Sequence, residues 1–238
     1  MTENPEKKLS ILMTMCLQND FIQKLDPLSD ENIKNVHIAV AETDRLWGSD
    51  GKLEKFIEKI MEIGEKNDNI PLPERSQFYH YIHIRDWHDE TDPTQLEELN
   101  QWKPHCIKGT TGAQFISPLQ EYINRYRKFN IIVNSNSLNS FVNTDLESHL
   151  EALKVMTGCS KNQTVIGIIG VMTNVKILFL AYDLTVRYEF PKQNVILCED
   201  LCAGRTSDGH EMGRQFISEI LGLKFLNLAE FEEALNLQ

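Results

Sequence analysis

The 238-residue sequence has no apolar run long enough to span a bilayer. Its opening, Met1 to Ser10, is polar and mixed in charge with no apolar stretch behind it, so it does not read as a secretory signal. It has few basic residues: 24 Lys and Arg stand against 35 Asp and Glu, for a formal charge of -11 and a pI near 5.1. No basic stripe offsets that balance, so nucleic acid and anionic membranes are excluded as expected partners. Cysteine is sparse and unpaired in pattern. Cys16, Cys106, Cys159, Cys198 and Cys202 are odd in number and scattered, which suits reduced thiols and a cytoplasmic location. Cys198 and Cys202 lie four apart, but no second pair completes a zinc site. Internal repeats, low-complexity tracts and dividing linkers are also missing, so one domain over 1–238 is expected.

What is present is an ordinary globular balance, 41% hydrophobic and 25% charged, enough for a sizeable core. Short apolar runs that end in polar residues predict parallel strands at Leu9 to Leu17, Phe78 to Ile84, Phe129 to Val133, Thr164 to Val171, Asn194 to Leu197 and Lys224 to Leu228. Helical spacing between them predicts helices over Leu53 to Glu65, Leu119 to Arg127, Thr144 to Met156, Asn174 to Tyr188 (after an N-cap at Thr173) and Glu211 to Leu221, stopped by Gly222. Strand and helix alternate throughout. That order predicts a three-layer α/β/α sandwich around a mainly parallel, six-stranded, Rossmann-like sheet. Ligands of such sheets bind beyond the carboxyl ends of the strands, so the polar strand ends should converge. Residues 22–51 fit least well and are expected to form a polar insertion, either on the surface or as an arm that caps the site or meets another subunit.

Four motifs, in order, resemble those of the isochorismatase-like hydrolases, which include the nicotinamidases. Met15-Cys16-Leu17-Gln18-Asn19-Asp20-Phe21 resembles the family's Asp-Met-Gln-Asn-Asp-Phe opening. His105-Cys106-Ile107-Lys108-Gly109-Thr110-Thr111-Gly112-Ala113 resembles its His-Cys-x-x-Gly-Thr-x-Gly-Ala loop. Ser140-Phe141-Val142-Asn143-Thr144-Asp145-Leu146 resembles the Ser-x-Phe-x-x-Thr-x-Leu stretch, and Ile168 to Val175 the strand and turn that carry the nucleophile.

The resemblance implies a cysteine nucleophile at a helix N-terminus, an aspartate on the first strand for the proton, and a lysine that stabilises charge. Residue by residue, those positions fall on Lys176, Cys16 and Ser135 (with Asn134 adjoining), so none of the three family residues is present. Gln18, Asp20, Phe21, Phe141, Met172 and Thr173 are the expected binding residues. The substitutions suggest a swapped pair, with a Cys16 thiolate facing a Lys176 ammonium. Lys108 is a weaker stand-in for the missing lysine, and Cys106 reads as a packed structural thiol. In nicotinamidases, an Asp-x-His at a strand end and the histidine of the His-Cys loop hold a divalent metal. Asp86, His88 and His105 match, while the family's further histidine is replaced by a stretch with Asp89, Glu90 and Asp92. Loop capping by the same residues is the alternative. No organic cofactor is expected.

Three functions compete. The first is a binding, scaffolding or regulatory subunit that has lost the hydrolysis. The second is a hydrolase with a rearranged Cys16/Lys176 or metal-assisted site. The third is a non-catalytic small-molecule sensor. Family members form dimers or larger assemblies, so a homo-oligomer, a protein partner and a small-molecule ligand are the expected partners.

Overall fold

The computed structural model describes residues 6–23 and 37–237. Its strands are β1 (Lys8–Met15), β2 (Gln77–Asp86), β3 (Asn130–Ser135), β4 (Thr164–Val171), β5 (Val195–Ala203) and β6 (Lys224–Leu226). They form one sheet in the order β3-β2-β1-β4-β5-β6, and every neighbouring pair is parallel. The helices are α1 (Asn19–Ile22), α2 (Val40–Trp47), α3 (Lys52–Asp68), α4 (Leu96–Trp102), α5 (Ser117–Arg125), α6 (Leu146–Thr157), α7 (Leu178–Tyr182), α8 (Ser207–Phe216) and α9 (Leu228–Ala234).

The connections explain the layers. From β1 to β3 the chain steps one way across the sheet, and from β3 to β6 it steps the other way. Right-handed crossovers therefore place the two sets of helices on opposite faces. α3 covers one face with Phe56, Ile57 and Ile60, all buried, and α9 joins it through a Phe56–Phe231 ring contact. The other face carries α7, with Leu180 and Ala181 buried, and α8, which continues into Ile217 and Leu221. Enclosed on both sides, the central strands are apolar almost throughout, as Ile11, Leu12, Met13, Ile166 and Ile168 show. Each such side chain contributes about 1.5–3 kcal/mol. β1 and β4 meet closely: a Cβ on Gly170, whose φ is +118°, would stand 2.1 Å from the Met15 carbonyl oxygen.

All six expected strands are present, with shifted ends: β1 stops at Met15 rather than Leu17, β2 runs on to Asp86 rather than Ile84, and β6 stops at Leu226, so that Leu228 begins α9. β3 runs to Ser135 rather than ending at Val133. β5 does not end at Leu197 but continues to Ala203, across an irregular register opposite Ile168 and Gly170. The polar residues that suggested a loop there are tied down. Glu199 faces His210, and Asp200 accepts from the Leu228 N–H at 2.8 Å.

Residues 24–36 of the expected insertion lie outside the described residues. The remainder is not peripheral. α2 packs on β5 with Leu46 and Trp47 buried, and Trp47 donates to the Ile22 carbonyl at 2.8 Å. Its buried carboxylate, Glu42, accepts from the Gly204 N–H at 3.0 Å and the Ser207 hydroxyl at 2.8 Å.

Candidate functional site

The sheet order reverses between β1 and β4, and the carboxyl ends of β1 to β4 deliver Cys16, Asp86, Ser135 and Met172 to that crevice. The framework comes first. Cys16 leaves β1 with φ +50° and donates its N–H to the Ile84 carbonyl at 2.8 Å. Gln18 is fully buried. Its amide donates to the carbonyls of Asp86 at 2.8 Å and Ala113 at 3.0 Å, and its oxygen accepts from the Asp86 N–H at 2.8 Å. Asp20 accepts from the Cys106 N–H at 2.7 Å and sits where a Cβ on Gly112 would be. These two residues, expected to bind ligand, instead fix the end of β2 and the loop that carries His105.

A pocket of about 390 Å³, counting the space open to solvent at its mouth, lies at the strand ends. Cys16, Phe21, Asp86, His105, Met172 and Lys176 line it, together with Glu98, Trp102, Leu138, Val171 and Val175. Of the expected binding residues, Phe21 and Met172 therefore reach it. Phe141 stacks on Tyr188 at 4.5 Å, and Thr173 is buried with its hydroxyl 2.9 Å from His210 Nδ1. Lys108 pairs with Asp89 at 3.4 Å on the surface. The Cys106 thiol is buried, as a structural thiol would be. Sequence reasoning missed Glu98 and Trp102; their four-residue spacing, just after Pro93, was the available signal for one face of a short helix.

The three substituted positions do come together, around Asp86. Lys176 stands in the turn Thr173–Ile177 that leads into α7. Its ammonium contacts Asp86 Oδ1, and Ser135 Oγ lies 3.4 Å from it. Burial alone would raise the Asp86 carboxyl, but the adjacent ammonium and His105 outweigh it and hold the group well below the usual carboxylate range. Burial would likewise lower Lys176; the Asp86 carboxylate reverses this and pushes the ammonium up. The expected Cys16–Lys176 ion pair is not what this arrangement favours. Burial pushes the Cys16 thiol up, Asp86 pushes it further, and Lys176 opposes only in part. The counter-charge of Lys176 is Asp86, and Cys16 remains a thiol.

Asp86, His88 and His105 are all buried, and one ligand atom from each lies within 4.8 Å of the others. His105 Nδ1 is 2.7 Å from the Lys103 carbonyl, which only accepts, so Nδ1 carries the proton. Its Nε2 then faces Asp86 Oδ2 at 3.7 Å. Neither ring nitrogen of His88 finds a hydrogen-bond partner of good geometry among the described residues. The nearby Gln95 has its oxygen on the Asp89 N–H and its amide on Asp92. By donor type alone, two imidazoles and a carboxylate, one imidazole oriented from behind by a carbonyl, suit a divalent ion of the zinc class, but the carboxylate is already engaged by the Lys176 ammonium. Asp89 and Asp92 do not extend the set, because they accept from Thr91 and Thr94 in the exposed loop.

A parallel α/β/α sandwich with its pocket at this crevice, loop and turn is the architecture of the isochorismatase-like hydrolases. The Isochorismatase domain family model matches residues 54–222, and the chain belongs to that family. No curated protein matches the sequence. Solved structures agree in fold. The pyrazinamidase/nicotinamidase of Streptococcus mutans UA159 superposes with a TM-score of 0.64 at 17% identity, over 91% of this chain and 99% of its own. An isochorismatase-like hydrolase from Alkaliphilus metalliredigens gives 0.62 at 23%, over 95% and 98%. The pyrazinamidase of Pyrococcus horikoshii, solved in complex with zinc, gives 0.60 at 19%, over 92% and 99%. At such identities the likeness shows the fold alone.

Proposed function

We propose that this chain has left the cysteine-dependent hydrolysis of its family and serves as a non-hydrolytic subunit that binds a small ligand at the strand ends. One observation carries the reading: where the resemblance calls for a nucleophilic cysteine, a buried lysine is held on Asp86. A thiolate would gain from the N–H groups and positive end of the helix; an ammonium there supplies no electron pair. The remaining thiol, Cys16, is on the opposite wall and is kept protonated by burial and by Asp86. The framework residues Gln18 and Asp20 are engaged all the same, so the pocket keeps its shape. Its mix of Phe21, Trp102 and Met172 with a few polar groups suits a small, largely apolar ligand. The test is turnover of nicotinamide, pyrazinamide, N-carbamoylsarcosine and isochorismate by purified protein, beside thermal shifts with the same compounds. No product, with a compound that raises the melting temperature and is recovered unchanged, is the expected result. Turnover that disappears in Cys16→Ser would sink the reading.

The subunit part of the reading rests on the outer face of α7, α8 and their continuations. Phe179, Tyr182, Val186, Met212, Phe216 and Ile220 are each 41–67% exposed there. At about 200 Å² for a large side chain, the six expose roughly 600 Å² of apolar surface, the upper end for a monomer. In an interface a little over half apolar, this corresponds to about 1,000 Å² per partner, more than the ~800 Å² of a standard complex. On the same two segments Arg187 and Arg214 stand against Asp208, Glu211 and Glu219, with Asp183 buried, so the polar surroundings of the face are mildly acidic. We assign the face to a homodimer, to be checked by light scattering.

A second reading, metal-assisted hydrolysis, is favoured by the Asp86, His88 and His105 donor set. It would require Lys176 to give up or share Asp86; a divalent ion then held by those three residues would supply an activated water or a polarised carbonyl.

A further inference from the structure

Three side chains that can ligate a metal meet at one buried point: Asp86 at the end of β2, His88 two residues beyond it, and His105 from the loop after α4. The Asp86 carboxylate favours positive charge beside it: it pulls the His105 imidazole up and holds the Lys176 ammonium, while the His88 ring nitrogens have no hydrogen-bond partner of good geometry among the described residues. Among the described residues, the ion-pair contacts of Asp86 are Lys176 and His105. Arg85, next to Asp86 in sequence, is engaged elsewhere: its guanidinium lies over the Trp87 ring at 3.8 Å and donates to Asn134 at 2.7 Å. Among the described residues, the permanent positive charge delivered to the donor set is therefore the Lys176 ammonium.

We propose that Lys176 is the resident cation of the Asp86–His88–His105 site and excludes a divalent metal from it. A zinc-class ion among these donors would have to share the Asp86 carboxylate with the ammonium, taking Oδ2 while Lys176 holds Oδ1, and would meet that ammonium as a like charge a few ångströms away. The lysine is buried and joined to the turn before α7, so it stays beside the site even when displaced from Asp86. The donor set is kept, and the metal's charge is supplied by the chain itself. This is a claim about binding rather than turnover, so it stands or falls separately from the loss of hydrolysis.

The experiment is titration of chelator-treated protein with Co2+ and Zn2+, read by the visible spectrum of Co2+ and by calorimetry for Zn2+, on wild type, Lys176→Gln and Lys176→Met. Lys176→Gln keeps a hydrogen-bond donor for Asp86 without the charge, in case the methionine variant folds poorly. Wild type is expected to bind no stoichiometric metal at micromolar concentration. Lys176→Gln should bind one equivalent at least a hundredfold more tightly, and His88→Ala in the Lys176→Gln background should abolish it. The proposal is overturned if wild type binds within threefold of Lys176→Gln, if the gained binding survives His88→Ala, or if a folded Lys176→Gln protein binds nothing. Wild type carries a test of its own: a rise in its melting temperature with micromolar Zn2+ that His88→Ala abolishes also overturns the proposal.

Discussion

Lys176 reaches from the turn before α7 to Asp86 Oδ1 at the end of β2, joining two strand ends 90 residues apart in sequence. Both groups are almost fully buried, so removing either leaves an uncompensated charge. Asp86→Asn and Lys176→Met should each cost about 3–5 kcal/mol. The double variant should cost clearly less than the sum, because it leaves neither charge behind. Urea unfolding of the four proteins measures this, and simple additivity would mean that the pair is not coupled.

Cys16 should be slow to alkylate. A free thiol titrates near pH 8.5, whereas burial and the Asp86 carboxylate push this one well above its usual range. The rate at Cys16, followed by peptide mass spectrometry, should remain low through pH 9. In Asp86→Asn one raising influence is gone and the ammonium is released towards the thiol, so the titration should move down. Rapid alkylation of wild type at pH 7 would restore the swapped-pair hypothesis.

The fold was legible because parallel strands buried on both faces are nearly uniform apolar runs, as Thr164 to Val171 is, and because the framework motifs keep their order. The site was legible only in position. Cys16, Ser135 and Lys176 were placed by alignment of motifs, but sequence pairs residues by what they replace. The structure pairs them by reach: Lys176 passes Cys16 and meets Asp86. Gln18 and Asp20 looked like ligand-binding residues because they belong to a site motif, yet their polar atoms are engaged by backbone groups. α2 was unreadable in a polar stretch because its key residue, Glu42, is a buried carboxylate satisfied by Gly204 and Ser207 far along the chain.

Glu42 gives a stability prediction. Its carboxylate accepts two hydrogen bonds while almost completely buried, and Arg45 lies 3.4 Å away. Glu42→Ala leaves the Gly204 N–H and Ser207 hydroxyl unpartnered and should cost about 2–4 kcal/mol. Hydrogen exchange should show α2 and the start of α8 opening together. Exchange confined to α2 would mean that Glu42 does not join the two.

The α7 and α8 face should control assembly. Phe179→Lys combined with Ile220→Lys places charge within the apolar stripes while leaving the buried sides of both helices untouched. A shift from dimer to monomer in light scattering, with the melting curve nearly preserved, is expected. An unchanged dimer would move the interface elsewhere.

His83 should make folding sensitive to mild acid. The side chain is buried on β2 between Thr14 Oγ1 at 2.9 Å and Asn130 Oδ1 at 2.6 Å, with the Phe115 ring beside it. Burial lowers it from 6.5 to about 4, against a small opposing contribution from Asn130. The folded state therefore keeps His83 neutral while the unfolded chain takes up a proton below pH 6.5. Its contribution is complete above pH 6.5, declines as pH falls towards about 4, and changes no further once both states are protonated. The shift corresponds to roughly 3 kcal/mol across that window. His83→Gln can still bond to Thr14 and Asn130 but cannot titrate, so its stability should fall less steeply between pH 6.5 and 4 than that of wild type. Equal slopes for the two proteins would mean that the acid response originates in other groups.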